Sequence, residues 1–258
     1  GCVRVYVLNM LAPIMTPVLA TLHLADLFRD PKMATACRRD WGKVRRCLDG
    51  TWPLPVPPAR VYMPSGSADP WFEAASHAPY VVMDTEYHAP TKRLNLIGLG
   101  YPGMVEALQV IWPERAIVPA LRALVGAVPI VFQNAVADIP VLAAACGITW
   151  RDYHQVEDTM LADAVLWPGL PHDLAYLASV YGVHPKMKHL AQTDPLLYNL
   201  GDVLDTISSW EALRQQLASD PDSERVYREQ SLALIPVILE RHALGLRVNR
   251  PRVATAAA

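Results

Sequence analysis

The sequence predicts an α/β protein, and three observations carry that prediction. Short apolar runs, Tyr80-Val81-Val82-Met83, Leu94 to Leu99 and Ile130-Val131-Phe132, have the length and composition of buried strands. Longer segments, Ile139 to Cys146, Asp158 to Leu166, Asp173 to Tyr181 and Pro195 to Ala218, read as helices. The two kinds alternate over residues 77–218, a pattern that layers helices on a sheet. With 258 residues, 52% hydrophobic and 19% charged, the chain has a globular balance and enough length for one good-sized core plus appendages.

Taken in order, residues 1–50 begin with an apolar stretch, Gly1 to Ala12, that lacks a basic leader and a cleavage site, so no signal peptide is expected. They end in a basic helical stretch, Lys32 to Leu48, opened by Asp30-Pro31 as N-cap and first-turn proline. Residues 51–76, from Pro53-Leu54-Pro55 to Asp69-Pro70, read as a Pro-rich linker or irregular wrap, because proline cannot donate to a sheet ladder. The alternating body follows. Residues 219–258 open on the polar break Asp220-Pro221-Asp222-Ser223, then an amphipathic helix from Ser223 to Leu244 and Gly245-Leu246-Arg247-Val248.

Composition narrows the function classes. No window of about 18 apolar residues suggests a transmembrane helix. The four cysteines, Cys2, Cys37, Cys47 and Cys146, form no CxxC pair, so neither a zinc ribbon nor a disulfide framework is indicated. A reducing, cytoplasmic compartment fits best. The formal net charge of −2 argues against bulk electrostatic capture of nucleic acid but leaves room for a local basic groove.

Three acidic blocks carry the chemistry. The first apolar strand runs into Asp84-Thr85-Glu86, and side chains two apart on a strand share a face, so both acids can reach one cation. Carboxylates beside a buried strand are costly unless a cation compensates them, and hard oxygen ligands suit Mg²⁺ or Mn²⁺. Solvated turn acids are the competing reading of this pair alone. The second block, Val131 to Asp138, places Asp138 near the sheet edge, where it either joins a metal site or caps the helix Ile139 to Cys146. In the third, Tyr198 and Asp202 stand four apart on a helix and share a face. A core tyrosine with a surface acid explains that spacing too, but Gly201 within the helix points to a close approach by backbone or ligand.

The ordered set, Asp-x-Glu, then Asn134-x-x-x-Asp138, then Tyr198-x-x-x-Asp202, resembles the DEDD 3′–5′ exonucleases of the tyrosine subtype. It is most similar to the proofreading domain of family A (polymerase I-like) DNA polymerases. Glu157-Asp158-Thr159-Met160-Leu161 and Leu170-Pro171-His172-Asp173-Leu174 look like the segments between that family's second and third motifs. The resemblance covers about residues 78–215. Tyr87-His88 stand where small turn residues are more usual, which bears on the shape of the 3′-end pocket.

The resemblance implies a ribonuclease H-like fold, a mixed sheet flanked by helices, with an N-terminal strand–helix extension and a C-terminal helix. It implies two divalent cations, Mg²⁺ or Mn²⁺, about 3.5–4 Å apart on the scissile phosphate. Asp84, Glu86 and Asp202 would share one and Asp138 with Asp84 the other, while Tyr198 orients the attacking water. The expected partner is a single-stranded or frayed DNA 3′ end, with a DNA polymerase as a further partner and replication or repair as the setting. Among substrate contacts, Asn134 is a candidate for the terminal nucleotide, with a satisfied turn residue as the alternative. Tyr87 or Phe132 are candidates for base stacking, core packing being the better account of Phe132. Lys186, Lys188 and His189 form a small basic cluster that can meet phosphates. His172 is expected as a loop residue and not a base. A non-catalytic nucleic-acid-binding or polymerase-associated module and a 3′–5′ exoribonuclease are the competing functions.

The flanks carry weaker likenesses. Val18 to Arg29 resembles the C-terminal strand, histidine loop and helix of bacterial-type uracil-DNA glycosylases, a match over about residues 1–48. Leu24 follows His23 where that family has proline, and the upstream acidic motif and cluster cysteines are missing, so a partial fold relic or an accessory packing element is expected there, with a coincidental strand–helix unit as the alternative. Tyr227 to Arg252 looks like the connector from exonuclease to polymerase thumb. No palm or fingers motif is present, so the chain is not expected to polymerise by itself.

Overall fold

The structure, a computed structural model, describes residues 54–63, 69–184 and 187–245, with scattered positions between 34 and 50 and Arg252. The glycosylase-like segment with His23, Lys186, the side chain of Lys188 and Leu246-Arg247-Val248 lie outside the described residues.

One six-stranded sheet organises the molecule, in the order β1 (Ala59–Val61), β4 (Ala107–Ile111), β3 (Arg93–Gly100), β2 (Val81–His88), β5 (Pro129–Phe132), β6 (Gln155–Asp158). The pairs β2–β3 and β3–β4 are antiparallel; β1–β4, β2–β5 and β5–β6 are parallel. The helices are α1 (Pro70–Ser76), α2 (Val118–Ala127), α3 (Ala135–Cys146), α4 (Thr159–Leu166), α5 (Leu174–Tyr181), α6 (Pro195–Ala218), α7 (Pro221–Val226) and α8 (Leu232–Leu244). This is the mixed sheet flanked by helices that the sequence predicts.

Strand alternation gives each face its own core. Met83, Ile97, Leu99, Leu108 and Val110 pack with Trp71 of α1, Leu121 and Leu124 of α2, Ile139 and Leu142 of α3, and Ile235 and Leu239 of α8. On the opposite face Val82 and Val131 meet Ala162 of α4, Leu177 and Val180 of α5, and Val203, Trp210 and Leu213 of α6. Each such side chain contributes about 1.5–3 kcal/mol of transfer free energy, which sets off the cost of holding acids in the same sheet.

Three differences from the sequence reading matter for the site. First, β2 does not end at Met83; it continues through Asp84-Thr85-Glu86 to His88, so the acids stand within a strand. Second, α3 begins at Ala135, which puts Asp138 inside the helix and removes the capping role. Third, the segment read as linker or irregular wrap supplies β1 and α1. Edge position explains this: among the described residues Ala59–Val61 pairs on one side only, where neighbouring prolines are tolerated. Asp69 caps α1 by accepting from Trp71 N at 3.0 Å and also holds the Arg60 guanidinium, which reaches Glu106 as well.

The helix expected from Ser223 to Leu244 is present and continuous, with a change of winding inside it. A π-helical turn, Tyr227–Ser231, joins α7 to α8 and turns Tyr227 fully inward. No described helix is long and apolar enough to cross a membrane.

Candidate active site

Asp84 and Glu86 project from the same face of β2, and Asp202 comes down from α6. Their ligand oxygens lie within 4.8 Å of one another, and each residue is half-buried. Asp202 accepts a hydrogen bond from the Tyr198 side chain one helical turn away. Asp138 arrives from the opposite layer. Its Oδ1 accepts from Thr85 N at 3.1 Å and Thr85 Oγ1 at 2.5 Å, so the residue between the two strand acids ties the acid of the second block to them.

Why α6 comes so close is written in the neighbouring strand. Gly98 lies opposite Asp84 in the β2–β3 register, and a Cβ there would stand 2.0 Å from Asn199 Oδ1. Its absence lets the fully buried Asn199 amide settle on the sheet and donate from Nδ2 to Asp84 Oδ2 at 2.7 Å. Gln109, opposite Gly98 on β4, donates to Asn199 Oδ1 at 3.4 Å and to Leu196 O at 2.5 Å. Gly100 makes room in the same way for Val203. Asn199 is the site residue that the sequence reading passed over. The available signal was Gly98 and Gly100 inside a strand, spaced to match one helix face, since glycine within a strand marks close backbone approach.

Electrostatically the cluster is strained. Burial first, then the charges of Asp138, Asp202 and Glu86, push the Asp84 carboxyl well above its ordinary value, against the pull of the Asn199 amide. Burial and Asp202 raise Glu86 to about 7. Burial raises Asp138 to about 7 despite the two Thr85 hydrogen bonds. Burial and Asp202 also push the Tyr198 hydroxyl up, so it stays protonated at neutral pH. Among the described residues, the charges that weigh most on Asp84, Glu86 and Asp138 are other carboxylates, so hard oxygen donors crowd together here. That donor set fits divalent Mg²⁺ or Mn²⁺.

The remaining candidates separate clearly. Asn134 is the last residue of the β5–α3 turn, left-handed at φ 71, and its side chain makes no cap hydrogen bond. Tyr87 follows Glu86 with the Lys92 ammonium 4.6 Å from its ring centroid. Phe132 is fully buried and packs edge-on against Tyr153, which makes it a core residue. Lys188 opens a short 3-10 turn, Lys188–Leu190. His172 sits in the α4–α5 loop, with Nδ1 2.7 Å from Asp163 Oδ2. Gly201 does permit a close approach, by the Met187 side chain, whose Cβ would lie 2.9 Å from a virtual Cβ there. A cavity of about 570 Å³ opens beside Tyr198 and Asp202, lined also by Pro171, Leu174, Ser179 and Met187.

A sheet of this order, with clustered acids on its central strand and crossing helix, has the ribonuclease H-like architecture. A family model described as 3′–5′ exonuclease matches residues 64–213, and the chain belongs to that family. It is a hydrolytic enzyme with a DEDD-type acidic cluster. No curated protein matches the chain. Among solved structures, Brucella melitensis NrnC bound to pGG aligns with TM-score 0.57 and 19% identity, over 73% of this chain and 95% of that one. The same protein with bound Mg²⁺ gives 0.54 and 21%, over 66% and 88%. Trypanosoma brucei RNase D in complex with RNA U12 gives 0.55 and 17%, over 74% and 72%. At these identities they share its fold.

Proposed function

We propose that the protein removes nucleotides stepwise from the 3′ end of single-stranded or frayed DNA, with Asp84, Glu86, Asp138 and Asp202 holding two divalent cations. The observation that carries this is the convergence of Asp84, Glu86 and Asp202 ligand oxygens within 4.8 Å of one another. When bound, the ions supply Lewis acidity toward the scissile phosphate and make water a better nucleophile. The protein's own part is positional. Asn199 fixes the Asp84 carboxylate, Thr85 fixes Asp138, and Asp202 fixes the Tyr198 hydroxyl. A protonated Tyr198 orients the attacking water as a hydrogen-bonding group and does not act as a base. A water oxygen–phosphorus bond forms, the bond to the 3′ oxygen breaks, and a nucleoside 5′-monophosphate leaves. Asn134, Tyr87 and Lys188 are the proposed contacts to the terminal nucleotide and its phosphate.

An RNA substrate is the second reading, favoured by the ligands of the similar folds, pGG on NrnC and U12 on RNase D. End-labelled single-stranded DNA and RNA of one sequence, incubated with Mg²⁺, Mn²⁺ or EDTA, tests both. Stepwise shortening from the 3′ end, faster on DNA and abolished by EDTA and by Asp84→Ala, supports the proposal. Preference for RNA selects the second reading. Wild-type activity in Asp84→Ala sinks the site assignment.

A further inference from the structure

The sequence between the acidic motifs contains Glu157-Asp158, two carboxylates that hold no place in the reaction and are nonetheless almost wholly buried, 2% and 1% exposed. Their surroundings explain the burial. Asp158 Oδ2 accepts from Ala135 N at 2.7 Å, and Oδ1 from Leu161 N at 3.1 Å and Asn134 N at 3.4 Å. One carboxylate thus satisfies the free N–H groups at the start of two helices, α3 and α4, which share no other cap of this kind.

This has a particular effect at α3. An asparagine in the cap position ordinarily uses its side chain to accept from the first turn. Asn134 does not, because Asp158 already fills that role and the left-handed backbone turns the residue away. The helix start that Asp158 pins is the same one that carries Asp138 toward Thr85. Asp158 is itself held from below: its N–H donates to Tyr227 Oη at 2.9 Å, and Tyr227 donates to Glu157 Oε2 at 2.8 Å. Arg228 and Gln155 occupy the other Glu157 oxygen.

We propose that Asp158, braced by Tyr227, is a positioning residue for the exonuclease reaction: it caps α3 from outside that helix, fixes Asp138 and releases the Asn134 amide for substrate. This rests on the metal-site reading above. Direct outer partners of metal ligands typically change metal affinity or turnover by about 10- to 100-fold; Asp158 acts one step further out, through the α3 backbone, so the lower end of that range, about 10-fold, is expected.

The test uses the full chain carrying Asp158→Asn, which keeps size and one acceptor oxygen but turns an amide N–H toward backbone N–H groups. Mn²⁺ affinity, kcat and KM on a labelled single strand are measured well below each variant's melting temperature. The expected result is weaker Mn²⁺ binding and a kcat about 10-fold lower, together with a raised KM from the displaced Asn134. A purely structural role would lower the melting temperature alone. Unchanged Mn²⁺ affinity and kcat, within about twofold, would overturn the proposal. If Asp158→Asn does not fold, Tyr227→Phe decides: it removes only the bracing hydroxyl, and a several-fold loss of Mn²⁺ affinity supports the proposal while wild-type values overturn it. Asp84→Ala runs alongside. Full activity there would fail the metal-site reading itself, whereas its inactivity beside an unaffected Asp158→Asn would fail only this inference.

Discussion

Replacing Gly98 with alanine tests the geometry on which the site rests. The added Cβ would lie 2.0 Å from Asn199 Oδ1, 2.8 Å from its Cγ and 2.9 Å from Val203 Cγ2. An overlap of that depth cannot be absorbed by small adjustments, so Asn199 has to leave Asp84 or α6 has to move off the sheet. Overpacking of a core costs about 1–3 kcal/mol. Losing a hydrogen bond to a carboxylate adds up to about 1.5–3 kcal/mol, less where Asp84 is protonated. A loss of about 3 kcal/mol is therefore expected, with turnover reduced because Asp84 is no longer held. Urea unfolding of the metal-free protein, followed by tryptophan fluorescence, measures it. The discriminating arm is the double variant Gly98→Ala/Asn199→Ala. With the amide gone, the new methyl group meets mainly Val203, so the double variant should be more stable than the two single losses predict, by about 1 kcal/mol or more. Additive losses, or Gly98→Ala within about 0.5 kcal/mol of the parent, would refute the claim that the glycine exists to admit Asn199.

Other expectations follow from the same site. Because Asp84, Glu86 and Asp138 all titrate higher in the folded protein than in the unfolded chain, the native state binds more protons between about pH 4 and 7. Metal-free protein should accordingly be most stable below that window and lose stability as pH rises through about 7, with Mg²⁺ or Mn²⁺ restoring it at pH 8. A melting temperature of the metal-free protein that climbs from pH 5 to 8 would contradict this. Tyr198→Phe should leave Mn²⁺ affinity near that of the parent and lower kcat by about 10- to 100-fold in single-turnover assays. Asp69→Ala, which removes both the cap on Trp71 N and the partner of Arg60, should cost about 1–2 kcal/mol in urea unfolding.

What the sequence disclosed and what it withheld differ in kind. The grouping of Asp84, Glu86 and Asp202, with Asp138 on Thr85 and Tyr198 beside Asp202, was legible because these types and spacings are uncommon together, and the apolar runs around them follow the period of their elements. Asn199 was not, because an amide beside a tyrosine carries no signal until Gly98, from another strand, is placed beneath it. The strand β6 was missed because Gln155-Val156-Glu157-Asp158 reads as polar, and its acids are satisfied by Tyr227 and Arg228 far along the chain. The start of α3 was read late because Asn134 takes a left-handed backbone and its cap comes from Asp158. In each case the missing information was a tertiary partner.

The position of β1 bears on where the chain can be cut. Ala59–Val61 covers the outer side of β4, and Trp71 Nε1 donates to Glu106 O at 3.0 Å just ahead of that strand. A recombinant piece starting at residue 77, where the acidic motifs begin, would retain every candidate metal ligand yet bare the edge of Ala107–Ile111. Unprotected edges recruit other edges, so such a piece should self-associate into insoluble assemblies. One starting before residue 54 keeps the border strand and should remain dispersed.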